Sequence, residues 1–347
     1  MELGSNFEWD VRNREACSNN IKQYVEEFHP VYTDSGRSAI RLLSDKQKGG
    51  KVLLPSYICK SVIDCFAECY EIEYYPVNEQ MEIEEDDLEA RLDGKVVFVY
   101  LMHYFGRLQK ASVLELLRKK REQLRFQIIE DVTHSFLSRR STIGDYQICS
   151  LRKWFAIPDG GVLYAQNVCD VQRPKRESGQ SGKVCEAMLL KDLYLHRKAD
   201  CNHLYREIFV SHEQHLDFQK EIYGMSAVSK ILLEGIGVEE VSKRRKENWN
   251  FLQSTLRNGQ VVPLYQKEAD DFVPFSYPVF VKDRDRFRAY LTDHQIYCAI
   301  HWPIEQAEQV GIGKTMELSK HILSLPIDQR YGAEQLEYMS EVINQYK

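Results

Sequence analysis

This chain of 347 residues lacks several features that would assign it to a class at once. It has no basic excess, because 46 basic against 52 acidic residues give a formal net charge of −6, so we do not expect a nucleic-acid partner. Its longest apolar run, VVFVYLM at 96–102, is far too short to span a bilayer. Residues 1–18 contain no apolar core, so we expect no signal peptide, no membrane partner and a cytoplasmic location.

Metal-type and dinucleotide-type motifs are also missing. The nine cysteines include no Cys-x-x-Cys pair, and we expect them to be buried thiols in a reducing compartment. The glycine runs at 235–240 and 311–314 lack the full Gly-x-Gly-x-x-Gly spacing of a Rossmann site. Four histidines are irregularly spaced, so we expect them on solvated helices and predict no metal site; they are His196, His203, His212 and His215.

What the chain does have is an alternation of apolar, strand-like stretches with amphipathic, helix-like ones. The predicted strands are 51–56, 71–77, 95–102, 126–131, 146–151 and 160–165. The predicted helices between them include 61–70 and 111–124. Continuous apolar strands separated by helices predict an α/β fold, in which helices cover a mostly parallel sheet.

The second half of the chain changes character. Residues 186–256 look mainly helical, and the last ninety residues return to strand and helix stretches at 274–281, 284–294, 296–302, 322–327 and 332–346. The sequence therefore predicts a large α/β domain over 30–235 and a smaller α+β domain over 236–347, with 1–29 packing nearby.

Polar residues follow the predicted strands, where ligands of parallel sheets bind. In DSGRSAIRLL (34–43), Gly36 opens a helix whose free N–H groups suit a phosphate, although a plain helix cap fits as well. In IIEDVTHSF (128–136), a strand ends at Asp131, and His134 follows. A buried carboxylate needs a cation or a donor, which a protonated pyridine nitrogen, a cap or an arginine would supply equally well.

The stretch SLRKWFAIPDGG (150–161) combines Ser150, Lys153 and a glycine pair. A lysine amine can form a Schiff base with an aldehyde, but a surface lysine on a turn is the plainer interpretation. The Ser-x-x-Lys of penicillin-binding enzymes is a third alternative. It would require Ser-Asp-Asn and Lys-Thr-Gly tripeptides, and the sequence has neither.

Taken in order, these stretches resemble the sugar aminotransferases of the DegT/DnrJ/StrS family, pyridoxal-phosphate enzymes of fold type I. The resemblance covers about residues 30–345, and its strongest stretches are SGRSAIRLL, IIEDVTHSF, GDYQICSLRKWFAIPDGGVLY and LSLPIDQRYGAEQLEYMSEVI. It implies a large domain with a mixed, mostly parallel sheet and a smaller α+β domain.

The resemblance also implies roles for particular residues. Lys153 would hold pyridoxal 5′-phosphate as an aldimine and move the substrate proton. Asp131 would pair with the pyridine nitrogen, and His134 would lie near the ring hydroxyl. The remaining cofactor-binding residues would be Gly36, Arg37 and Ser38 at the helix start, Ser150 at the phosphate, and Cys59 or Tyr57 on the ring.

The implied reaction moves an amino group from glutamate to a keto sugar, possibly nucleotide-linked, in polysaccharide biosynthesis. The implied assembly is a homodimer with both active sites at the interface. The chain departs from its relatives at 222–224, where Ile-Tyr-Gly replaces a segment containing Asn and Arg. Another pyridoxal-phosphate reaction, a non-sugar substrate or a non-catalytic binding role therefore stay open, and Tyr297, His301 and Trp302 are positional candidates for reading the substrate.

Overall fold

The computed structural model describes residues 2–10, 16–45, 48–138, 143–165, 171–267, 272–304, 309 and 312–347. The strands in these ranges are β1 (Leu3–Gly4), β2 (Val31–Thr33), β3 (Lys51–Pro55), β4 (Glu71–Tyr75), β5 (Val96–Met102), β6 (Gln127–Asp131), β7 (Tyr146–Cys149), β8 (Gly161–Ala165), β9 (Val261–Pro263), β10 (Tyr277–Val281), β11 (Ile296–Tyr297) and β12 (Ile322–Leu325).

The α-helices in the same ranges are α1 (Ile21–Glu26), α2 (Gly36–Ser44), α3 (Lys60–Ile63), α4 (Glu85–Arg91), α5 (Ala111–Leu124), α6 (Ser181–Arg197), α7 (Asn202–Phe218), α8 (Ala227–Glu234), α9 (Val238–Thr255), α10 (Arg284–Asp293), α11 (Thr315–His321) and α12 (Ala333–Gln345). A 3₁₀ turn, Leu151–Lys153, follows β7. Of these helices, none combines the length and the apolar character that crossing a bilayer requires.

The largest sheet has seven strands in the order β2-β8-β7-β6-β5-β3-β4. Strand β3 pairs in parallel with β4 and β5, and β5 pairs in parallel with β6, whereas β2 runs antiparallel to β8. Strands β3 and β5 are buried along nearly their whole length, as expected of apolar strands covered on both faces. The predicted α/β class with a mixed, mostly parallel sheet is confirmed.

Two smaller sheets complete the strand pairing. Strands β12, β10 and β9 form an antiparallel sheet in that order, and β1 pairs in parallel with β11. The predicted strand at 296–302 is too long, because regular pairing is confined to Ile296 and Tyr297.

Helix predictions succeeded where apolar spacing was regular. Helix α5 has the predicted bounds, buries Val113 and Leu117 one turn apart, and ends at Arg125 in the left-handed conformation. The predicted helix at 61–70 is wrong beyond Ile63. There, bonds from residue i to i+3, such as Cys65 N–H to the Val62 carbonyl, tighten the chain into turns.

The described chain groups into two compact units. The first contains 5–46 and 148–241, and the second contains 2–4, 47–147 and 242–347. Packing between α6 and α7 forms an apolar cluster in the first unit, with Met188 and Tyr205 among its members. In the second unit, β3 and β5 pack with α4 and α5. The domain boundary predicted near residue 235 stays a prediction.

Candidate functional site

The predicted phosphate-binding turn is the start of α2, in the first unit. Ser35 caps this helix, because its Oγ accepts the N–H of Ser38 at 3.2 Å. A Cβ on Gly36 would lie 3.1 Å from the Cβ of Ser150, so glycine lets the serine lie directly against the first turn. The structure thus brings Ser150 to a helix N-terminus, where N–H groups favour an anion.

Hydrogen bonds among buried polar side chains support the start of α2. The Asp34 carboxylate is buried and accepts hydrogen bonds from Ser38 Oγ at 2.6 Å and from Gln219 Nε2 at 2.9 Å. Burial raises the pKa of Asp34, and the hydrogen bonds from Ser38, Gln219 and Ser35 oppose that rise. Sequence reasoning missed this network, because nothing near residue 34 indicates a partner at residue 219.

Lys153 ends the 3₁₀ turn that follows β7. Its N–H donates to the Ser150 carbonyl at 3.2 Å, and the next two residues, Trp154 and Phe155, are fully buried. The lysine side chain itself is half-buried. The backbone that carries Lys153 is therefore fixed by core packing, while the amine-bearing side chain keeps access to its surroundings.

The glycine pair behind the lysine is required by close backbone contact. Gly160 has φ +144°, and a Cβ on Gly161 would lie 2.3 Å from the Ser35 carbonyl oxygen. Just before them, the buried Asp159 accepts hydrogen bonds from the N–H and Oγ of Ser226 at the start of α8. The tight turn thus packs β8 against the α2 cap and ties it to α8.

Helix α7 contacts both predicted functional turns of the first unit. Arg152, beside Lys153, donates to both carboxylate oxygens of Glu213 at 2.6 and 3.2 Å. Arg37 donates to Asp217 at 2.7 Å. Burial alone would raise the pKa of Glu213, but the Arg152 charge and hydrogen bonds outweigh it and lower that pKa to about 2. Both arginine side chains are thus engaged with α7.

The same helix corrects one prediction about histidines. His196, His203 and His215 are exposed, as expected, but His212 is only 8% exposed. It occupies the inner face of α7 with Tyr205, Phe209 and Leu216. Helical spacing explains the burial, because positions four apart share one face. Among the described residues, no group of histidine, cysteine and carboxylate side chains could hold a metal ion.

In the second unit, Asp131 ends β6 as a buried carboxylate that is 5% exposed. One oxygen accepts the Thr133 N–H at 2.8 Å, and the other accepts the Tyr100 hydroxyl at 2.6 Å. Burial and the charge of Asp131 raise the pKa of Tyr100 well above its usual value, which keeps that hydroxyl a donor. No lysine, arginine or histidine in the described chain pairs with Asp131.

The neighbouring Glu130 is partnered differently. It contacts His103 Nε2 at 2.8 Å, and both side chains are fully buried. The Gln109 N–H donates to His103 Nδ1 at 3.0 Å, so Nε2 carries the proton that Glu130 accepts. Glu130 also accepts the N–H of Gly144 at 3.1 Å. Glu130 thus bonds to groups that follow β5 and β6, His103 and the Gly144 N–H. Asp131, by contrast, keeps lone pairs that can accept from another donor.

His134 lies at the centre of an aromatic cluster in the second unit. Its ring is fully buried and stacks on Phe275 at 4.2 Å and on Trp302 at 5.1 Å between centroids. The His301 ring meets it edge-on at 5.0 Å. Two of the three positional candidates for substrate reading therefore surround His134, whereas Tyr297 lies in β11 and pairs with Gly4.

The two candidates for the residue that contacts the cofactor ring, Tyr57 and Cys59, differ in how accessible their side chains are. Tyr57 is fully buried, donates its hydroxyl to the His301 carbonyl, and packs 5.7 Å from the Trp302 ring. Cys59 is half-buried at the start of α3, with Sγ 3.0 Å from Ser61 Oγ. Tyr57 is thus committed to the aromatic cluster, and Cys59 is the more accessible of the two.

The fold of this chain is similar to that of several solved sugar aminotransferases. No protein-family model matches the sequence, and no curated protein is significantly similar to it. The likeness is therefore visible in three dimensions rather than in sequence identity.

Three solved structures illustrate the likeness. DesV from S. venezuelae, in complex with a ketimine intermediate, has 15% identity and a TM-score of 0.65 over 95% of this chain and 90% of its own. A DegT DnrJ EryC1 StrS aminotransferase from Brucella abortus has 15% identity and a TM-score of 0.64, covering 93% and 87%. The putative sugar aminotransferase Spr1654 from Streptococcus pneumoniae, in its PLP-form, has 15% identity and a TM-score of 0.63, covering 93% and 88%.

Proposed function

We propose that the chain is a pyridoxal-phosphate-dependent aminotransferase that moves an amino group from glutamate to a keto sugar. The observation that carries this proposal is the partnering of Asp131. A carboxylate that is 5% exposed and held by two neutral donors lacks the cation that burial normally requires. A protonated pyridine nitrogen fits that vacant role, and Tyr100 and Thr133 fix the carboxylate that would receive it.

The phosphate end of the cofactor fits the first turn of α2. The Gly36 and Arg37 amides lie at the helix start, and the Ser150 hydroxyl lies against the same turn. Because the Arg37 side chain pairs with Asp217, the phosphate would be bound by backbone amides and the serine, with the helix dipole adding to the attraction. The Ser38 amide, already donating to Ser35 Oγ, would contribute less than its neighbours.

Lys153 fits the role of the residue that binds the cofactor covalently. When bound, pyridoxal phosphate supplies an aldehyde and an electron-withdrawing ring. Lys153 would hold that group through Nζ, and its amine would then accept and return the substrate proton. The buried aromatic pair after Lys153 fixes the backbone that carries this amine, and Asp131 would pair with the ring nitrogen.

Accessibility distinguishes the two candidates for contact with the cofactor ring, whereas the role of His134 rests on the family resemblance. We assign the ring contact to Cys59, because Tyr57 is committed to Trp302 and the His301 carbonyl. His134 would meet the ring hydroxyl, supported by its stack on Phe275. His301 and Trp302, whose rings lie beside that of His134, would then contact the substrate.

The finer parts of the proposal rest on the family resemblance. They are a nucleotide-linked sugar acceptor, a role in polysaccharide biosynthesis, a homodimer with active sites at its interface, and a cytoplasmic location. Solved relatives of the same fold include NtdA from Bacillus subtilis with bound cofactor PMP, which supports the same cofactor here.

The test is the glutamate half-reaction, followed as 2-oxoglutarate released by protein loaded with pyridoxal phosphate. Asp131→Asn keeps the side-chain shape but removes the charge, so we expect a rate loss of roughly a hundredfold or more. Asp200→Asn, at an exposed position, is the matched control and should keep the wild-type rate. An Asp131→Asn protein that releases 2-oxoglutarate at the wild-type rate would exclude the role given to Asp131.

A further inference from the structure

The C-terminal half of α7 contacts two turns of the first unit that the proposed function uses. They are the lysine turn, residues 150–153, and the phosphate-binding turn, residues 35–38. Glu213 and Asp217 lie one helical turn apart and therefore project from one face of α7, and Gln219 caps the end of this helix. No step of the proposed transamination uses these three residues.

The lysine turn is attached to α7 by charge and by apolar packing. Arg152 donates to both carboxylate oxygens of Glu213, at 2.6 and 3.2 Å, and a pair bonded through two parallel hydrogen bonds fixes orientation as well as distance. Both side chains are half-buried, so salt screens this pair less than a fully exposed one. Just after the turn, Ala156 packs in one cluster with Tyr205 and Phe209 of α7. The helix therefore contacts this segment at two points.

The phosphate-binding turn is attached to the same helix, also at two points. Arg37 donates to Asp217 at 2.7 Å. Gln219 donates from Nε2 to Asp34 at 2.9 Å, and both of these side chains are buried. Because Asp34 directly precedes the turn and Arg37 lies within it, α7 contacts residues on both sides of Gly36.

These attachments matter because one rigid molecule must reach both turns. In pyridoxal phosphate the aldehyde and the phosphate-bearing arm stand on neighbouring atoms of one ring, so their separation is nearly constant. Lys153 can bond to the aldehyde while the start of α2 binds the phosphate only if the two turns keep a matching separation. Gly36 and Ser150 already lie against each other, and α7 adds contacts to each turn that are independent of that one.

We propose that Glu213 and Asp217 are positioning residues, which keep the lysine turn and the phosphate-binding turn at the separation that the cofactor requires. Each acts through the arginine that it binds, so neither needs to touch the cofactor. This role rests on the function proposed above, because it takes pyridoxal phosphate as the ligand of both turns. A purely structural ion pair would stabilise the unit against unfolding without changing how much the phosphate adds to cofactor binding.

The test compares two ligands that differ by the phosphate group, pyridoxal phosphate and pyridoxal. Each is titrated into the cofactor-free full chain, and the absorbance band of the Schiff base gives its affinity. The ratio of the two affinities measures what the phosphate contributes when the aldehyde is bound at the lysine turn. We expect Glu213→Gln to lower this ratio roughly threefold or more, because the released lysine turn no longer lets one molecule satisfy both turns. Glu213→Gln combined with Asp217→Asn should lower it further.

The matched control is Glu207→Gln, which removes an exposed carboxylate from the same helix and should keep the wild-type ratio. A thermal melt of each variant verifies folding. A wild-type ratio in both Glu213→Gln and the double variant would overturn the positioning role and leave the proposed function intact. If the wild type itself formed no band with pyridoxal phosphate, the proposed function would fail, and the positioning role would fail with it.

Discussion

The buried His212 predicts a specific loss of stability in mild acid. Burial and the nearby positive charge of Arg152 lower the pKa of His212 to about 4, although Glu213 opposes the shift. In the unfolded chain a histidine titrates at about 6.5. As the pH falls below about 6.5, His212 becomes protonated in the unfolded chain. In the folded chain it stays neutral until the pH approaches about 4. Folding stability must therefore fall as the pH falls through this window.

The size of the effect follows from the two pKa values. Between pH 7 and pH 5, the linkage relation gives a loss of about 2 kcal/mol in the free energy of unfolding, and by pH 4 the loss reaches about 3 kcal/mol. The measurement is urea unfolding of the wild type and of His212→Gln at pH 7 and at pH 5. We expect the variant to lose about 2 kcal/mol less than the wild type between these two conditions.

The control lies on the same helix. His203 is exposed, so His203→Gln should show the full wild-type loss between pH 7 and pH 5. The three proteins share every titrating group except His203 and His212, so the comparison cancels the contribution of the shared groups. If His212→Gln lost as much stability as the wild type, the histidine would not be titrating as a buried neutral group, and the reasoning would be refuted.

Three further substitutions test the local geometry. Gly161→Ala should lower the free energy of unfolding by about 1–3 kcal/mol, because its Cβ would lie 2.3 Å from the Ser35 carbonyl oxygen. Gly182→Ala, in α6 with open space around it, should instead raise that free energy by up to about 1 kcal/mol; equal effects in urea unfolding would contradict both. Tyr100→Phe should cost about 1.5–3 kcal/mol, since it removes a hydrogen bond to the buried Asp131 charge, and should weaken pyridoxal-phosphate binding in a spectral titration. Unchanged stability and cofactor affinity would show that the hydroxyl does not position Asp131.

Sequence patterns predicted those elements whose burial is dictated locally. The leucine spacing of 111–124 predicted α5 with the bounds that the structure has. The unbroken apolar run at 96–102 predicted the central strand β5. The stretch 61–70 failed because its apolar residues satisfy a helix and a set of tight turns equally well. Aromatic contacts of Phe66 with Phe98 and Tyr100 accompany the turns, and no residue near position 61 specifies those distant partners.

The candidate functional residues also divide into those that the local sequence indicates and those that depend on distant partners. Lys153, Asp131 and the start of α2 stand out in the sequence because each follows or opens an element. Tyr100 does not, since its role depends on β5 pairing in parallel with β6, which sets Met102 opposite Asp131. The Arg152 pair with Glu213 joins residues 61 positions apart, so only the fold could bring these two side chains together.

The most direct test of the central claim is an absorbance spectrum of the purified protein with pyridoxal phosphate, before and after glutamate. Wild type and the control Lys183→Ala, at an exposed position of α6, should show a yellow band that glutamate bleaches, and Lys153→Ala should not. Borohydride reduction followed by peptide mass analysis should place the cofactor's mass on the peptide containing Lys153. A band that persists in Lys153→Ala, or a cofactor mass on another lysine, would contradict the account.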